Sequence, residues 1–168
     1  MAGSLILETD RLLLREFDEG DAEAFYVLGS DPAITRYTGD PGGGLSSIEH
    51  AVQVLLAHPM ADYVRHGFGR WACVHKATGT VIGFAGLKHL DELGEVDIGY
   101  RLLPAYWGAG LATEAGRAAV ADFDPAPQLD AFWADALKPF RAVPRKEFGF
   151  RVVVRVVEEA QTEVGPKN

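Results

Sequence analysis

Residues 106–115 read YWGAGLATEA, Tyr106 through Ala115. Two glycines, Gly108 and Gly110, stand directly ahead of an alanine-rich run, so bare backbone meets the predicted start of a helix. Just before them EVDIGYRLL, residues 95–103, alternates Val96, Ile98, Tyr100 and Leu102 with Glu95, Asp97, Gly99 and Arg101. That is the period-2 pattern of a strand with one face in a core, and it points Asp97 outward from the other face. After the glycines, Leu111, Ala115, Ala118 and Ala119 form a narrow stripe of small apolar residues that lets a helix pack close to a sheet. The glycine pair therefore sits at a strand-to-helix junction. Backbone amides there lack partners, carry partial positive charge and attract phosphate when no Cβ obstructs it. Glycines that only permit a tight turn would read the same way.

Working outward, RLLLREF (11–17) predicts a strand, and GRWACVHK (69–76) with TVIGFAGLKHL (80–90) predicts a hairpin around the turn at 77–79. Asp18 or Asp21 caps a first helix carrying Ala22, Phe25 and Leu28. Ser46 and Glu49 make a capping-box pattern ahead of Ile48, Val52, Leu55 and Leu56, in a second helix that stops before Pro59. Past Phe123, Pro125, Pro127, Pro139 and Pro144 crowd a segment in which only DAFWADAL (130–137) looks like a strand. Proline in a helix interior costs ~3 kcal/mol, so any helix here is short. FGFRVVVRVVEE (148–159) reads as a closing strand, and QTEVGPKN (161–168) as a loose tail. The expectation is one domain over residues 1–168 with a core of about 5–158.

A chain of 168 residues with 48% apolar content can bury a core without metal or disulfide staples. Cys73, the single cysteine, is expected to fill core space, which fits a reducing, cytoplasmic setting. No apolar run has signal-peptide or membrane-spanning length, so no membrane partner is expected. The net charge of −8, from 24 acidic and 16 basic residues without a basic block, argues against nucleic acid as partner. It suits a cationic small molecule or basic peptide, although surplus carboxylates also serve solubility alone. Five histidines without metal-ligand spacing predict no metal site.

Three phosphate-loop types compete for the glycine pair. A Walker A loop needs lysine and a hydroxyl residue after its second glycine, where this chain has Leu111 and Ala112. A dinucleotide fingerprint needs glycine or alanine at its sixth position, where Thr113 stands, although Asp130 falls at a spacing compatible with a ribose contact. The acyl-CoA pyrophosphate loop, R/Q-x-x-G-x-G/A, matches Gly110 and Ala112 and departs at Trp107.

ETDRLLLREFDEGDAEAF, ITRYTG, GFGRW, TGTVIGFAGL, VDIGYRLLPAYWGAGLATEA and the late FGFRVV resemble, in order and spacing, the GNAT acetyltransferases. The branch they resemble is the RimJ/RimL-like ribosomal-protein N-terminal acetylases, in which tryptophan commonly replaces the arginine or glutamine of the loop. The resemblance covers roughly residues 5–123 and a short piece near the end. It implies an α+β layered fold, with a mixed, mostly antiparallel sheet of six to seven strands flanked by helices. It also implies a bulge that splays the strand at 95–103, so that the pantetheine arm of acetyl-CoA pairs with main chain at Tyr100 and Leu102. The pyrophosphate would rest on the amides of Gly108, Ala109, Gly110, Leu111, Ala112 and Thr113 beside Trp107. Asp97 matches the position of a general base, with Glu95 as alternative, and a backbone amide near residues 100–102 would polarise the thioester carbonyl. Tyr37, Thr38, the GGG loop at 42–44 and Trp71 are the candidates for the acceptor entrance.

The implied activity is transfer of acetyl from acetyl-CoA to a primary amine: a protein N-terminus, a polyamine or a small molecule. The oligomeric state is left open, a homodimer included. Relatives carry an Asn-x-x-Ser segment before the final strand, and here Phe140 and Val143 fall near those positions. Another proton donor, a diverged acyl-CoA-binding or sensing domain without catalysis, and an unusual reading frame all remain open on that point.

Overall fold

The structure, a computed structural model, describes residues 3–38, 44–91, 95–123 and 152–156. Strands β1 (Leu5–Glu8) and β2 (Leu12–Arg15) open the chain, followed by a 3-10 turn at Glu19–Asp21. Four helices come next: α1 (Ala22–Ser30), α2 (Pro32–Thr38), α3 (Ile48–Ala57) and α4 (Pro59–His66). Then follow β3 (Arg70–His75), β4 (Thr80–Leu90), β5 (Glu95–Leu102), α5 (Leu111–Phe123) and β6 (Val152–Val156). The strands form one sheet in chain order, a five-stranded antiparallel meander to which β6 adds in parallel beside β5.

Both faces of this sheet are covered. On one, Leu12, Leu14, Trp71, Cys73 and Leu102 pack against Leu111, Ala115 and Ala119 of α5, the small stripe the sequence marks for close approach. On the other, Ala72 and Phe84 of the sheet meet Phe17 and Leu28, Ile34 and Leu55 of α1–α3. Burial pushes the Cys73 thiol up to about 12, so this cysteine is an inert piece of core. The β3–β4 ladder shifts register between Cys73 and Val74. Glycine on β4 accommodates the shift, because Gly83 has φ 157 and a Cβ there would lie 2.0 Å from the Arg101 carbonyl oxygen.

Three local readings are corrected. The sequence patterns did not reveal β1, α2 or α4. In α4, Pro59 sits in the first turn, where its missing N–H costs nothing, and Gly67 at φ 75 ends the helix. The cap of α3 is Ser47, whose Oγ accepts from the His50 N–H at 3.1 Å, so the box reading at Ser46 is one residue early. The bulge expected within residues 95–103 is absent from both described ladders of β5, neither of which shifts register; the irregularities fall on β1 and at the β3–β4 junction. The predicted strand at 130–137 lies outside the described residues.

Asp21 joins the β2 end to α1. Its carboxylate takes two 2.7 Å bonds from the Arg15 guanidinium and a third, 3.1 Å, from the Asp18 N–H. The hydrogen bond to Asp21 holds the Arg15 guanidinium above its ordinary value against the effect of burial. Asp21→Ala strands a largely buried guanidinium, and breaking such a pair costs about 3 kcal/mol; the expected loss is read as a lowered midpoint in chemical denaturation.

Candidate active site

Gly108 and Gly110 adopt φ of 73 and 76, left-handed values that cost other residues about 1–2 kcal/mol. A Cβ at Gly108 would meet nothing within 4 Å, so the loop faces open space. The Glu114 N–H donates to the Gly110 carbonyl at 3.0 Å. Gly110 is therefore the cap of α5, and the amides of Gly110, Leu111, Ala112 and Thr113 have no intrahelical acceptor. Thr113 is exposed beside them.

Two side chains pin this loop. Trp107 donates its indole N–H to the Leu102 carbonyl at 2.7 Å and so ties the loop to the end of β5. Arg11, from the β1–β2 turn, donates to the Ala109 carbonyl at 2.8 Å and pairs with Glu114 through Nε and Nη2, both at 2.7 Å. Glu114 also accepts from the Thr9 hydroxyl at 2.6 Å and the Arg11 N–H at 2.9 Å. Burial alone would raise the Glu114 carboxyl, but bonds from Thr9 and Arg11 outweigh it and hold the group below its ordinary value. Sequence reasoning missed Thr9, Arg11 and Glu114, which stand about a hundred positions apart; the only local signal was an acid in the first turn of a predicted helix.

The backbone phase of β5 follows from one bond, Leu103 N–H to the Ile82 carbonyl at 2.8 Å. In an antiparallel ladder alternate residues exchange bonds with the neighbour, so Asp97, Gly99 and Arg101 face β4 through their main chain. Val96, Ile98, Tyr100 and Leu102 turn theirs to the far side, where β6 pairs from Val96 to Tyr100. Tyr100 thus stands opposite Val156 inside the ladder, and the Leu102 carbonyl is taken by Trp107. The main-chain roles assigned to these two residues need an opening beyond Tyr100.

Asp97 does face away from the α5 core, as the alternation predicts, but it is buried there, 2% exposed. Helices α1–α4 cover the face it occupies, and its Oδ2 accepts from Arg70 Nη2 at 3.1 Å. Arg70 lies across Gly99, where a Cβ would stand 2.8 Å from that same nitrogen. Beyond the pair opens a cavity of about 430 Å³. Phe17, Phe25 and Phe84 line it as apolar groups, Arg70, Lys88, Arg101 and Asp62 as charged ones, and His50 and His58 line it as well.

The other sequence candidates fall in different places. Trp71 is 3% exposed in the core beneath α5, on the opposite face of the sheet from this cavity, so it is no entrance residue. Thr38 spends its hydroxyl on the Thr35 carbonyl of its own helix at 3.1 Å. Gly44 of the glycine loop does line the cavity, and its φ of 105 and the Gly29 carbonyl 2.2 Å from a Cβ position demand glycine. Gly42 and Gly43, the Tyr37 and Glu95 side chains, Asp130, Phe140 and Val143 lie outside what the structure describes.

One grouping was invisible to histidine spacing. His66, His89 and Asp91 bring their ligand atoms within 4.8 Å of one another. The His89 ring nitrogen lies 2.9 Å from Asp91 Oδ1, and this bond, first, holds the Asp91 carboxyl below its ordinary value. Among the described residues no helix is long and apolar enough to cross a membrane.

Comparisons with known proteins agree with this geometry. The acetyltransferase (GNAT) domain model matches residues 11–139, which is most of the chain. The uncharacterized N-acetyltransferase YoaA of Bacillus subtilis is 34% identical over 110 residues, 65% of this chain and 60% of that protein; the chain thus spans less than two thirds of the curated relatives it matches. Among solved structures, an acetyltransferase from Agrobacterium tumefaciens shares the fold with a TM-score of 0.60 at 23% identity, covering 79% of this chain and 81% of the other. The microcin C7 self-immunity acetyltransferase MccE, solved with acetyl-CoA and AMP, does so with a TM-score of 0.57 at 16% identity, covering 77% and 76%. With its sheet order, its glycine-capped helix and this match over residues 11–139, the chain belongs to the GNAT acetyltransferase family.

Proposed function

We propose that this protein is an acetyl-CoA-dependent N-acetyltransferase acting on a primary amine, in the RimJ/RimL-like branch. The observation that carries the reading is the row of helix-start amides at 110–113 behind two left-handed glycines, opening to free space next to β5. Such a row suits a diphosphate without a lysine. Trp107 holds the loop against β5 through the Leu102 carbonyl, and the acyl arm would run alongside the strand beyond Tyr100.

In the reaction the neutral amine attacks the thioester carbonyl carbon, a C–N bond forms, and the C–S bond breaks. The amine gives up one proton and the departing thiolate takes one, leaving an amide and free CoA thiol. A lysine-like amine has a pKa of about 10.4 and an α-amine about 8, so a proton acceptor helps. Asp97 is our candidate for it, being the carboxylate on β5 that stands behind Arg70 at the cavity. Its bond to Arg70 favours a second role, that of holding the guanidinium in place.

Release of free thiol from acetyl-CoA, dependent on an added amine, tests the activity. Binding of CoA without thiol release on any amine supports the sensing alternative instead. Gly110→Val is expected to weaken CoA at least about 10-fold by placing a β-branched residue at a left-handed position, seen as loss of the CoA-induced rise in Tm. Asp97→Asn separates the two roles. A base predicts a kcat reduced by about 100-fold or more, deepest at low pH, whereas a positioning residue predicts a raised KM for the acceptor with kcat retained.

The loop anchor carries its own pH signature. The Glu114 carboxyl is depressed in the folded state, so the stability it contributes is present above its ordinary pKa of 4.5 and lost as pH falls through the lower folded value. Glu114→Gln is expected to flatten that acid limb of the stability curve, and to lower CoA affinity at neutral pH by loosening Arg11.

A further inference from the structure

The cavity beside β5 is basic in a chain that is acidic overall. Arg70, Lys88 and Arg101 face it from three strands, against Asp62 from α4, while Asp97 stands behind Arg70. Both guanidiniums lie 5.5 Å from the centroid of the Phe84 ring. Two cations thus converge on one apolar side chain, and taking a guanidinium such as that of Arg70 out of water is costly. Burial first, and then repulsion from Arg101, push the Arg70 guanidinium below its ordinary value against the pull of Asp97. The buried Arg70 Nε has no hydrogen-bond partner among the described residues.

We infer that the acceptor amine carries an anionic group, a carboxylate or a phosphate monoester, and that Arg70, Lys88 and Arg101 bind it over the Phe84 ring. This rests on the transferase reading above. Guanidinium forks match both oxyanions in a paired geometry that an ammonium cannot supply. The wall of Phe17, Phe25 and Phe84, with ring centroids 5.4 and 6.5 Å apart along the row, accommodates an apolar portion next to the anion. A cavity of about 430 Å³ suits an amino acid, a short peptide end or a phosphorylated amine. A simple polyamine, with positive charge only, meets repulsion here.

The test uses the full chain and matched acceptors: L-phenylalanine against its amide, and O-phosphoethanolamine against ethanolamine. Thiol release from acetyl-CoA is read for each, together with thermal shift in the presence of CoA. The anionic member of at least one pair is expected to be preferred by about 10-fold or more in kcat/KM, and Arg101→Gln to cut that preference to about 3-fold or less. Preference in the first pair identifies a carboxylate, and in the second a phosphate. Arg70→Lys, which keeps a charge beside Asp97 but loses the fork, is expected to act in the same direction and guards against misfolding of a neutral variant. Equal turnover of the neutral members, or an Arg101→Gln that lowers both members alike, overturns the inference and leaves the transferase reading standing. If no amine is turned over, the transferase reading fails. The inference then survives only if an anionic member raises the Tm of the parent protein and not of Arg101→Gln, and is overturned without that shift.

Discussion

The antiparallel ladder between β4 and β5 is the constraint on which the rest of the site depends. Eight paired positions, from Gly83 opposite Leu102 to Leu90 opposite Glu95, run without a slip. A slip of one residue would exchange the two faces. Asp97 and Arg101 would then enter the core beneath α5, while Ile98 and Leu102 would enter the cavity. The ladder also fixes the main chain, because residues that bond to β4 cannot also offer their amides to the far side. One set of hydrogen bonds thereby assigns the side chains of Asp97 and Arg101 to the cavity side and the main chain of Ile98 and Tyr100 to the β6 side of the same strand. The slip is displaced to where glycine can absorb it, at the β3–β4 junction beside Gly83.

The glycine loop depends on that ladder at one remove. Trp107 reaches the Leu102 carbonyl, which is available because Leu102 belongs to the set pointing away from β4. A tryptophan at this position gives up the positive charge of an arginine but gains a rigid tether between loop and strand. A cation nonetheless stands nearby: Arg11 approaches Gly110 from the β1–β2 turn, its Nη2 being 3.7 Å from the Cβ position. Glu114 in the first turn of α5 favours the helix dipole, yet by itself would repel a phosphate. Its pairing with Arg11 removes that conflict, and the same pair holds the Ala109 carbonyl away from the amide row.

Much of this was legible before the fold was known. Alternation at 95–102 identified β5, and the small stripe at 111–119 identified α5 and its contact face. The hairpin of β3 and β4 followed from its β-branched runs and the turn at 77–79, where Gly79 takes φ 67. The failures have particular causes. Polar residues alternating with apolar ones read as solvated, and nothing local reveals that α1–α4 close over that face and bury Asp97. Trp71 stood among the entrance candidates because an aromatic on a hairpin has no sign of which face it takes until the register is known. Arg11, Thr9 and Glu114 meet only through tertiary structure. Ser46 and Ser47 are adjacent hydroxyls, and the choice of cap turns on backbone geometry, with Ser47 extended at φ −159.

The overall charge of the chain and the local charge of the cavity point to opposite substrates, and the chemistry decides between them. A cationic cavity disfavours the ammonium form of an amine placed inside it, and so moves the acceptor toward the neutral form that attacks a thioester. The same field would exclude an acceptor whose only charge is positive. An anion on the acceptor resolves the opposition, since its attraction to Arg70 and Arg101 brings the amine into surroundings that then favour its deprotonation. Under that arrangement Asp97 acts through Arg70, because the guanidinium that would bind the anion is fixed by the carboxylate behind it. The net charge of −8 then carries no information about the acceptor.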